Sequence, residues 1–445
     1  MNALVFFFAS AVCSAPPVLR IELKAAEESS QRNFPALKAL EAELAAANIR
    51  ADGRESLLWP RLTADASYRW LSDVTSLSVG GRTQNLGDHH NASVGPTLGW
   101  TLWDQGALKD SWRSAQAWAR AKHREKEAVS GQVRLRARVA YFQAQLGLEQ
   151  VRLLGDSLKL AQSQYKDIEG RRKAGASSMI DSLCAHQEVL SRSRSFRQAR
   201  ADLAGALRDL FALTGEEPGA ELSVPLDAET ALKIPDGTEA PGVVVVLDPL
   251  TQSLSLLERA AGGFDEAHPA LRQAAESAEA LKSAARSLRA GIWPRLLFSA
   301  RTSLDYPNGP LLESHIQNIA GVSLSFPLFE SGKTRKEASE SESLAKAQLD
   351  RMEGIRRERS RDWLKAKDQL LSLKAQEVMD AVSTRETADL SRRFYDSYKA
   401  GRATFLEVQS ANLKELEAKV QAARTHAQML LQLAVLDDLS TKEVP

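Results

Sequence analysis

The chain repeats itself once, and this internal repeat constrains its fold more than any other feature of the sequence. Four short segments return further along the chain, in the same order and in closely similar letters. They are FPAL with HPAL (34–37 and 268–271), WPRL with WPRL (59–62 and 293–296), TLWDQGALK with PLFESGKTRK (101–109 and 327–336), and KAGASSMID with KAGRATFLE (173–181 and 399–407). The last two pairs have a shorter separation than the first two, so a deletion lies between them and marks a loop. A repeat of this length predicts a duplicated domain half, not a short solenoid unit.

The composition favours long helices and excludes several classes of function. The formal net charge is +1, which leaves no electrostatic footprint for a nucleic-acid partner. The chain is rich in Ala, Leu, Arg, Glu and Gln, which are good helix formers. Its two cysteines, Cys13 and Cys184, allow no disulfide framework and no Cys-x-x-Cys site. The motifs of zinc proteases, phosphate loops, serine hydrolases and dinucleotide sites are absent, so we expect neither an enzyme nor a cofactor.

Residues 1–15 have the pattern of a secretory signal peptide, with a short apolar run followed by small residues around Ser14 and Ala15. No Lys or Arg precedes the apolar run, so a segment retained on the protein is the alternative. Cys13 raises lipidation as a further alternative, although Val12 and Ser10 fit a lipobox poorly. No other run reaches the ~18 apolar residues that a membrane-spanning helix needs.

Four segments alternate apolar and polar residues, which predicts strands with two different faces. We place them at about 61–71 and 92–103 in the first half and at about 295–306 and 316–328 in the second. Each has about the length of a tilted strand that spans a bilayer, and aromatic residues cluster at the strand ends, as in an interfacial girdle. Two half-buried hairpins covering a helical domain are the alternative.

Four strands are too few to close a membrane barrel, and an open sheet edge cannot lie in lipid. Closure therefore needs several copies of the chain. Two copies would supply eight strands and three would supply twelve, and both even numbers are possible. The periodicity does not choose between them.

Two long segments without proline, 105–172 and 332–398, follow the second strand of each half. At 1.5 Å per residue, each could form a helix on the order of 100 Å long. Apolar residues at heptad spacing predict coiled-coil seams: Leu154, Leu158, Ala161, Tyr165 and Ile168; Ala345, Leu349 and Met352; Trp363, Ala366, Leu370 and Leu373; and Leu406, Leu413, Leu416, Val420, Ala423, Ala427, Leu430 and Ala434. A soluble coiled-coil rod would explain these helices equally well, but it would not explain the strands.

Each long helix begins at a junction in which an aromatic residue, an acid and a glycine follow a strand. The acids are Asp104 and Glu330, and the glycines are Gly106 and Gly332. An acid suits a helix N-terminus because it opposes the partial positive charge there. We therefore interpret the third repeated segment as a strand-to-helix junction.

Each long helix is predicted to reverse at a Lys-Ala-Gly turn. Gly175 and Gly401 suit a left-handed helix C-cap, and Ser177–Ser178 and Thr404 can cap the helix that follows. Each half then ends in an antiparallel helical hairpin.

The repeat and these signals together predict the domain order. We predict a first repeat at 16–215, an inter-repeat equatorial segment at 216–264 that packs beside the middle of the helices, a second repeat at 265–440 and a tail at 441–445.

The chain resembles the TolC-type outer-membrane efflux proteins over nearly its whole length. The resemblance lies in the duplicated halves, in PLFESGK after a second strand and in YKAGRATFLEVQSANLKELEA at a helix reversal. The resemblance implies a mainly α fold with membrane β: duplicated halves, long coiled-coil hairpins that form a periplasmic tunnel, and four strands per chain in a trimeric 12-stranded outer-membrane barrel. It implies a passive exit channel of a tripartite efflux or type I secretion system. The protein would lie in the outer membrane of a Gram-negative bacterium, with a large part of the chain in the periplasm. Its partners would be two further copies of the chain, a periplasmic adaptor protein and an inner-membrane pump of RND or ABC type.

The same resemblance assigns the site residues, because the family's periplasmic entrance is the ring of helix turns. The residues expected to dock the adaptor are Gly175, Ala176, Ser177, Gly401, Arg402, Ala403 and Thr404. Asp181 and Glu407 are expected at the pore constriction, where a ring of carboxylates favours cations. A second acid found in some relatives is replaced here by Cys184 and Ser410, so a double acidic ring is absent. The alternative is that both acids are ordinary residues of a helix N-terminus.

Two further alternatives stay open at this point. A non-membrane coiled-coil scaffold of the periplasm would use the same helices, although it has no need of amphipathic strands with aromatic ends. His89 and His90 form a histidine pair in the predicted loop after the first strand. We expect a solvated loop there, and a metal site is the alternative.

Overall fold

The computed structural model describes residues 18–79, 82–215, 239–240, 243–247 and 263–440. The predicted signal peptide with Cys13, the tail at 441–445 and most of the inter-repeat segment at 216–264 lie outside the described residues. The described part contains seven α-helices and nine strands, in this order: β1 (Val18–Ile21), α1 (Leu23–Asn33), α2 (Pro35–Glu55), β2 (Arg61–Trp70), β3 (Ser76–Val79), β4 (Arg82–Asn85), β5 (His90–Trp103), α3 (Ala107–Lys173), α4 (Met179–Thr214), β6 (Glu239–Ala240), β7 (Val243–Leu247), α5 (Pro269–Ala290), β8 (Arg295–Tyr306), β9 (His315–Ser325), α6 (Lys333–Lys399) and α7 (Phe405–Leu439).

The predicted duplication is visible in the elements themselves. The long helices α3 and α6 have 67 residues each, and each is followed by a turn and a second long helix, α4 or α7. The loop between β2 and β5 spans residues 71–89, whereas the loop between β8 and β9 spans only 307–314. The deletion inferred from the repeat therefore falls in this loop. The longer loop, which was predicted only as a loop after the first strand, contains the β3–β4 hairpin.

The first helical segment, which follows β1, is broken into two helices, α1 and α2. Phe34 is extended, with ψ 120°, and Pro35 begins α2. The ring of a proline clashes with a helical conformation of the residue before it, so α1 ends at Asn33. Pro35 itself is well placed at the first position of a new helix, where no N–H is required.

The last predicted strand is also shorter than expected, because β9 ends at Ser325 rather than at Leu328. Ser325 pairs with Arg295, which is the first residue of β8. Beyond this point no neighbouring strand remains to accept hydrogen bonds, and Pro327 has no N–H to donate. Phe326 and Leu328 therefore lie outside the sheet, and both side chains are exposed.

The described chain forms two compact units, and each unit takes residues from both repeats. We call the unit of Ala39–Glu127 and Pro269–Arg357 the sheet unit, and the unit of Met1–Lys38, Ala128–His268 and Glu358–Pro445 the hairpin unit. The predicted repeat boundaries divide the chain in a different way, by sequence similarity, and they stay a prediction.

The sheet unit contains a four-stranded antiparallel sheet in the order β2-β5-β8-β9. The register aligns the alternating patterns, so that the sheet has one apolar and one polar face. The apolar face carries Leu62, Ala66, Tyr68, Val94, Leu98, Trp100, Phe298, Ala300, Leu304, Ile316, Ala320, Val322 and Leu324. The polar face carries mostly Ser, Thr, Gly, Arg and Asp, with Leu297 and Ile319 as its large apolar members. The alternation predicted from the sequence is therefore confirmed.

The apolar face is exposed to an unusual degree. Leu62 is 69% exposed, Leu324 is 67% exposed and Trp70 is 60% exposed. Further exposed aromatic residues lie near the ends of the strands, at Trp59, Tyr68, Trp103, Trp293, Phe326 and Phe329. Apolar surface on this scale marks an interaction with lipid or with another molecule.

The helices of the sheet unit pack through small side chains. Ala117, Ala121, Ala278 and Ala280 are almost completely buried, and Ser114 donates a hydrogen bond to the carbonyl of Ala280 over 2.8 Å. Small residues let helix backbones approach closely. The small size of these side chains permits the close side-by-side packing of the helices.

The hairpin unit has a larger apolar core, which joins α1, α3, α4 and α7. Tyr141 and Phe142 of α3 are completely buried there, together with Leu207, Leu210 and Leu430. A separate cluster between α3 and α4 contains Leu158, Ala161, Val189 and Phe196. This cluster confirms the first predicted heptad seam.

The predicted seam is wrong at the start of α7. Leu406 and Leu413 are 72% and 44% exposed, whereas Phe405, Val408 and Ala411 are buried. The helix is rotated here because Phe405 and Val408 pack on α3 and α4 residues, and from Leu416 onward the buried positions follow the predicted register.

A small sheet in the order β1-β7-β6 completes the hairpin unit, with β1 parallel to β7. No helix in the described ranges combines the length and the apolar character that crossing a membrane would require.

Candidate functional site: the two helix turns

The two turns that reverse the long helices have the same backbone geometry. At the end of α3, the N–H of Ala176 donates to the carbonyl of Arg171 over 2.8 Å; at the end of α6, the N–H of Arg402 donates to that of Ser397 over 2.9 Å. Gly175 and Gly401 have φ of 77° and 73°. These are Schellman C-caps, in which the left-handed residue is normally glycine. The predicted conformation of both glycines is confirmed.

A side-chain cap starts the helix after each turn. The Ser178 hydroxyl accepts a hydrogen bond from the backbone N–H of Asp181 over 3.0 Å. At the second turn the Thr404 hydroxyl accepts from the N–H of Glu407, and the Glu407 carboxylate accepts from the N–H of Thr404 over 2.7 Å. This reciprocal pair is a capping box.

The structure does not bring Asp181 and Glu407 together within one chain. The Asp181 carboxylate accepts from the Ser177 hydroxyl over 3.4 Å, and Glu407 is engaged by Thr404. The backbone and side chain of Thr404 hold the pKa of Glu407 below its usual range. Both acids therefore have local capping contacts, and their place at a constriction stays a prediction.

A small apolar cluster lies beneath the two turns and connects all four long helices. Its buried members are Ile168 of α3, Ala185 of α4, and Phe405 and Val408 of α7, and Tyr395 and Tyr398 of α6 pack against it. Sequence reasoning placed the two turns separately, each in its own hairpin. The cluster shows that one set of side chains holds both turns.

Polar contacts also link the first turn to α6. The hydroxyls of Ser177 and Tyr398 are 3.2 Å apart, and Arg171 donates to the carbonyl of Lys399 over 3.4 Å. The Tyr395 hydroxyl donates to the Asp167 carboxylate over 3.0 Å. These contacts between distant parts of the sequence were not predicted, because no local pattern signals them.

Glu169, one turn before the end of α3, is a further residue that sequence reasoning missed. Arg172 donates to both of its carboxylate oxygens, over 2.9 and 2.7 Å, and the Ser182 hydroxyl donates over 2.8 Å. Arg172 first, and then Ser182, lower the pKa of Glu169 to about 2. The Glu-x-x-Arg spacing on a helix is the signal that could have found this pair.

The residues expected to dock a partner are accessible. Five of them are exposed, namely Gly175, Ala176, Gly401, Arg402 and Thr404, and two are half-buried, namely Ser177 and Ala403. Apolar side chains beside them are exposed as well, with Met179 at 59%, Ile180 at 72% and Leu406 at 72%. The turns therefore present polar and apolar surface together.

The strand-to-helix junctions repeat one geometry as closely as the turns do. Gln105 and Gly106 have φ of 55° and 84°, and Ser331 and Gly332 have φ of 49° and 76°. The Asp104 carboxylate accepts from the N–H groups of Gly106 and Leu108 over 3.0 and 2.7 Å, whereas Glu330 accepts from the Thr334 hydroxyl. The Asp104 carboxylate therefore caps the start of α3 through backbone N–H groups, as predicted, whereas the Glu330 carboxylate contacts a side chain in the first turn of α6.

The histidine pair has other partners. A ring nitrogen of His89 is 2.8 Å from the carbonyl oxygen of Leu71, and a ring nitrogen of His90 is 2.6 Å from the Tyr68 hydroxyl. Within the part of the chain that the structure describes, no three His, Cys, Asp or Glu side chains are grouped as a metal site would require.

Comparison with known proteins gives a consistent result. Residues 27–216 match the family model described as outer membrane efflux protein. A search of curated proteins found no match.

Three solved structures have the same fold over nearly the whole chain. The outer-membrane channel OprN is 19% identical, with a TM-score of 0.73 over 94% of this chain and 89% of its own. CusC, described in relation to transmembrane channel formation, is 16% identical, with a TM-score of 0.74 over 97% and 95%. The outer membrane protein VceC from Vibrio cholerae is 17% identical, with a TM-score of 0.73 over 94% and 96%.

The family match covers most of the first repeat, and the fold of these channels continues through the second, so the chain is similar to the outer membrane efflux proteins in sequence over residues 27–216 and in fold over nearly its whole length.

Proposed function

We propose that the protein is the outer-membrane exit channel of a tripartite efflux or type I secretion system, and that it works as a homotrimer. The match of residues 27–216 to the outer membrane efflux protein family supports an outer-membrane efflux channel. The observation that carries the proposal is the apolar face of the sheet, which is exposed on all four strands. A face of this kind suits the hydrocarbon of a bilayer, with the aromatic residues at its ends in the interfacial layers.

The free edges of the sheet support assembly of several copies. β2 and β9 each pair on one side only, and unpaired backbone groups in lipid cost several kcal/mol each, on the order of 2–7. Pairing β2 of one copy with β9 of the next removes both edges. Three copies supply twelve strands, which is the number that the family resemblance implies, and the polar face then encloses a water-filled lumen.

The exposed turns support a partner in the periplasm. We assign adaptor docking to Gly175, Ala176 and Ser177 of the first turn and to the equivalent residues of the second, on the basis of the resemblance. The adaptor would connect the channel to an inner-membrane pump of RND or ABC type that supplies the energy.

The mass of the detergent-extracted protein tests the proposal. Light scattering, with the detergent contribution removed, should give three chains per particle, and extraction should require detergent. A single chain, or a dimer that is stable without detergent, would leave the strands unable to close. That result would favour the periplasmic coiled-coil scaffold.

A further inference from the structure

The polar face of the four-stranded sheet carries an excess of positive charge. β2 carries Arg61, Asp65 and Arg69 at odd-numbered positions, and β8 carries Arg295, Arg301 and Asp305 at odd-numbered positions. Side chains at even spacing on a strand lie on one face, and the pairing of both strands with β5 places the two sets on the same side. We call these six side chains the charged face. Four arginines against two aspartates leave an excess of two positive charges per chain.

In the described part of the chain the arginines of the charged face are not paired directly with acids, although Arg301 and Asp305 share the Ser93 hydroxyl. Asp65 accepts a hydrogen bond from the Thr63 hydroxyl over 3.3 Å, and Asp305 accepts from the Ser93 hydroxyl over 2.5 Å. Arg301 donates to the same Ser93 hydroxyl over 2.5 Å. Among the described residues, no salt bridge joins an arginine of the charged face to an acid.

The neighbours of the charged face are small, so the guanidinium groups are accessible. Arg61 lies opposite Gly99, and Arg295 lies opposite Ser325. Arg61, Arg69 and Arg295 are exposed, and Arg301 is half-buried. An exposed guanidinium presents a planar set of donors that suits carboxylate and phosphate oxygens.

We propose that the charged face makes the membrane-spanning part of the channel selective for anions, and that it favours cargo bearing carboxylate or phosphate groups. This inference rests on the proposed function, because the charged face encloses a lumen only in a closed assembly. Rings of arginine in a pore favour anions, and three chains would give an excess of six positive charges. The charged face thus opposes the predicted effect of Asp181 and Glu407 at the turns.

The zero-current potential of single channels in a lipid bilayer, measured across a KCl gradient, tests the inference. The turn acids should first be neutralised by Asp181→Asn and Glu407→Gln, so that they do not mask the sheet. In this background, we expect a chloride permeability at least twice that of potassium. Adding Arg61→Gln, Arg295→Gln and Arg301→Gln should lower this ratio at least twofold, because they remove three positive charges per chain.

Two matched sets of variants separate charge from structure. Replacing the same three arginines with lysine preserves the positive charges. The ratio of chloride to potassium permeability should then equal that of the parent within the experimental error. Asp65→Asn removes a negative charge four residues from Arg61 on the same strand, and it should raise the ratio. If the triple variant does not assemble, Arg61→Gln and Asp65→Asn alone still give opposite expected shifts, since both residues are exposed.

The outcomes distinguish this inference from the proposed function. The inference would be overturned if these substitutions left the ion preference unchanged. It would also be overturned if Arg61→Gln and Asp65→Asn shifted the permeability ratio in the same direction. Neither result would contradict the proposed channel function. Folded trimers that never conduct would contradict the proposed function, and the inference with it.

Discussion

Tyr395 of α6 donates a hydrogen bond from its hydroxyl to the carboxylate of Asp167 on α3, over 3.0 Å, and so joins the two longest helices just before their turns. Burial first, and then the Asp167 carboxylate, raise the pKa of Tyr395 to about 12. The phenol therefore stays protonated, and donates, throughout the physiological range. Lys399 lies over the same ring, 4.2 Å from its centroid.

We expect Tyr395→Phe and Asp167→Ala each to lower the free energy of unfolding by about 1 to 2 kcal/mol, the range for a hydrogen bond to a charged group. Asp167→Ala also removes the ion pair between Asp167 and Arg171. The double variant should therefore cost little more than Asp167→Ala alone, because the contact between Tyr395 and Asp167 is lost in all three variants. Thermal unfolding of the detergent-solubilised protein, followed by circular dichroism, measures this coupling. Asp156→Ala is the control, since Asp156 is exposed on the same helix, and its effect should be small and additive with that of Tyr395→Phe.

The same contact predicts a dependence on alkaline pH. The pKa of Tyr395 is raised from 10.0 to about 12, so the folded state holds its proton more tightly than the unfolded chain. Its contribution is complete below pH 10 and is lost as the pH rises through about 12. The difference in unfolding temperature between the parent and Tyr395→Phe should therefore shrink over this interval, and a constant difference would contradict the assignment.

The glycines at the turns should not tolerate a side chain, although there is room for one. A Cβ at Gly175 or Gly401 would meet no atom within 4 Å, but both residues have a left-handed φ. Gly175→Ala and Gly401→Ala should each destabilise the protein by about 1–2 kcal/mol, the cost of that conformation for an L-residue. Gly170→Ala is the matched control, because Gly170 lies inside α3 with equally open surroundings. It should stabilise the helix by roughly 0.5–1 kcal/mol, and a stabilising effect of Gly175→Ala would contradict the argument.

The strands and turns could be predicted from the sequence because their signals are local. The alternation over β2, β5 and β8 follows from the two environments of each strand, and a glycine after a long helix has few roles other than a C-cap. The start of α7 was predicted wrongly because Leu406 and Phe405 are both apolar, and a heptad count cannot show which of them faces α3. The contacts of Tyr395 and Ser177 could not be predicted at all, because they depend on how distant helices pack.

The polar face of the sheet was visible in the sequence only as an alternating pattern. Whether Arg61 of β2 and Arg301 of β8 lie on the same side depends on the register of both strands with β5. A shift of one residue in either pairing would reverse the face. The excess of charge is therefore a property of the folded sheet.

Glu407 can be tested in two ways, because glutamine keeps the cap and removes the charge. In Glu407→Gln the amide oxygen can still accept from the N–H of Thr404, so the capping box survives and the unfolding temperature should hardly change. The preference for cations should fall if Glu407 lies at the constriction. Glu407→Ala should lose both the cap and the charge. Bilayer recordings and unfolding curves of the two variants separate the roles; an unchanged ion preference in both would reject the constriction.

The pH dependence of this effect has a defined direction. Since Thr404 lowers the pKa of Glu407 from its usual value, the carboxylate is charged in the folded protein at neutral pH. Any contribution of Glu407 to cation preference should be present at neutral pH and should disappear as the pH falls through the lowered pKa of the folded state. Recordings between pH 7 and pH 3 would measure it, and the step should be smaller in Glu407→Gln than in the parent, because Glu407 no longer contributes while the other acids are unchanged.

Arg138 should be essential to the hairpin unit. Its guanidinium lies 2.6 Å from Glu27 and 2.5 Å from Asp437, and all three side chains are largely buried. Arg138→Met would leave two buried carboxylates without a partner, which should cost about 3–5 kcal/mol. Arg152→Met is the control: Arg152 is 68% exposed, so its loss should cost no more than about 1 kcal/mol.

Gly95 of β5 should be irreplaceable for assembly of the sheet, whereas Gly99 should not. A Cβ at Gly95 would lie 2.0 Å from the carbonyl oxygen of Thr302 on β8, but a Cβ at Gly99 would meet nothing within 4 Å. Both glycines lie on the polar face of the same strand, so Gly95→Ala and Gly99→Ala differ only in the approach of β8. We expect Gly95→Ala to reduce the yield of detergent-extracted oligomer several-fold, with Gly99→Ala near the parent. The pairing of β5 with β8 joins the strands of the first repeat to those of the second, so its loss would leave two separate hairpins. Equal yields for the two variants would show that the β5–β8 contact is looser in the assembled protein than in this structure.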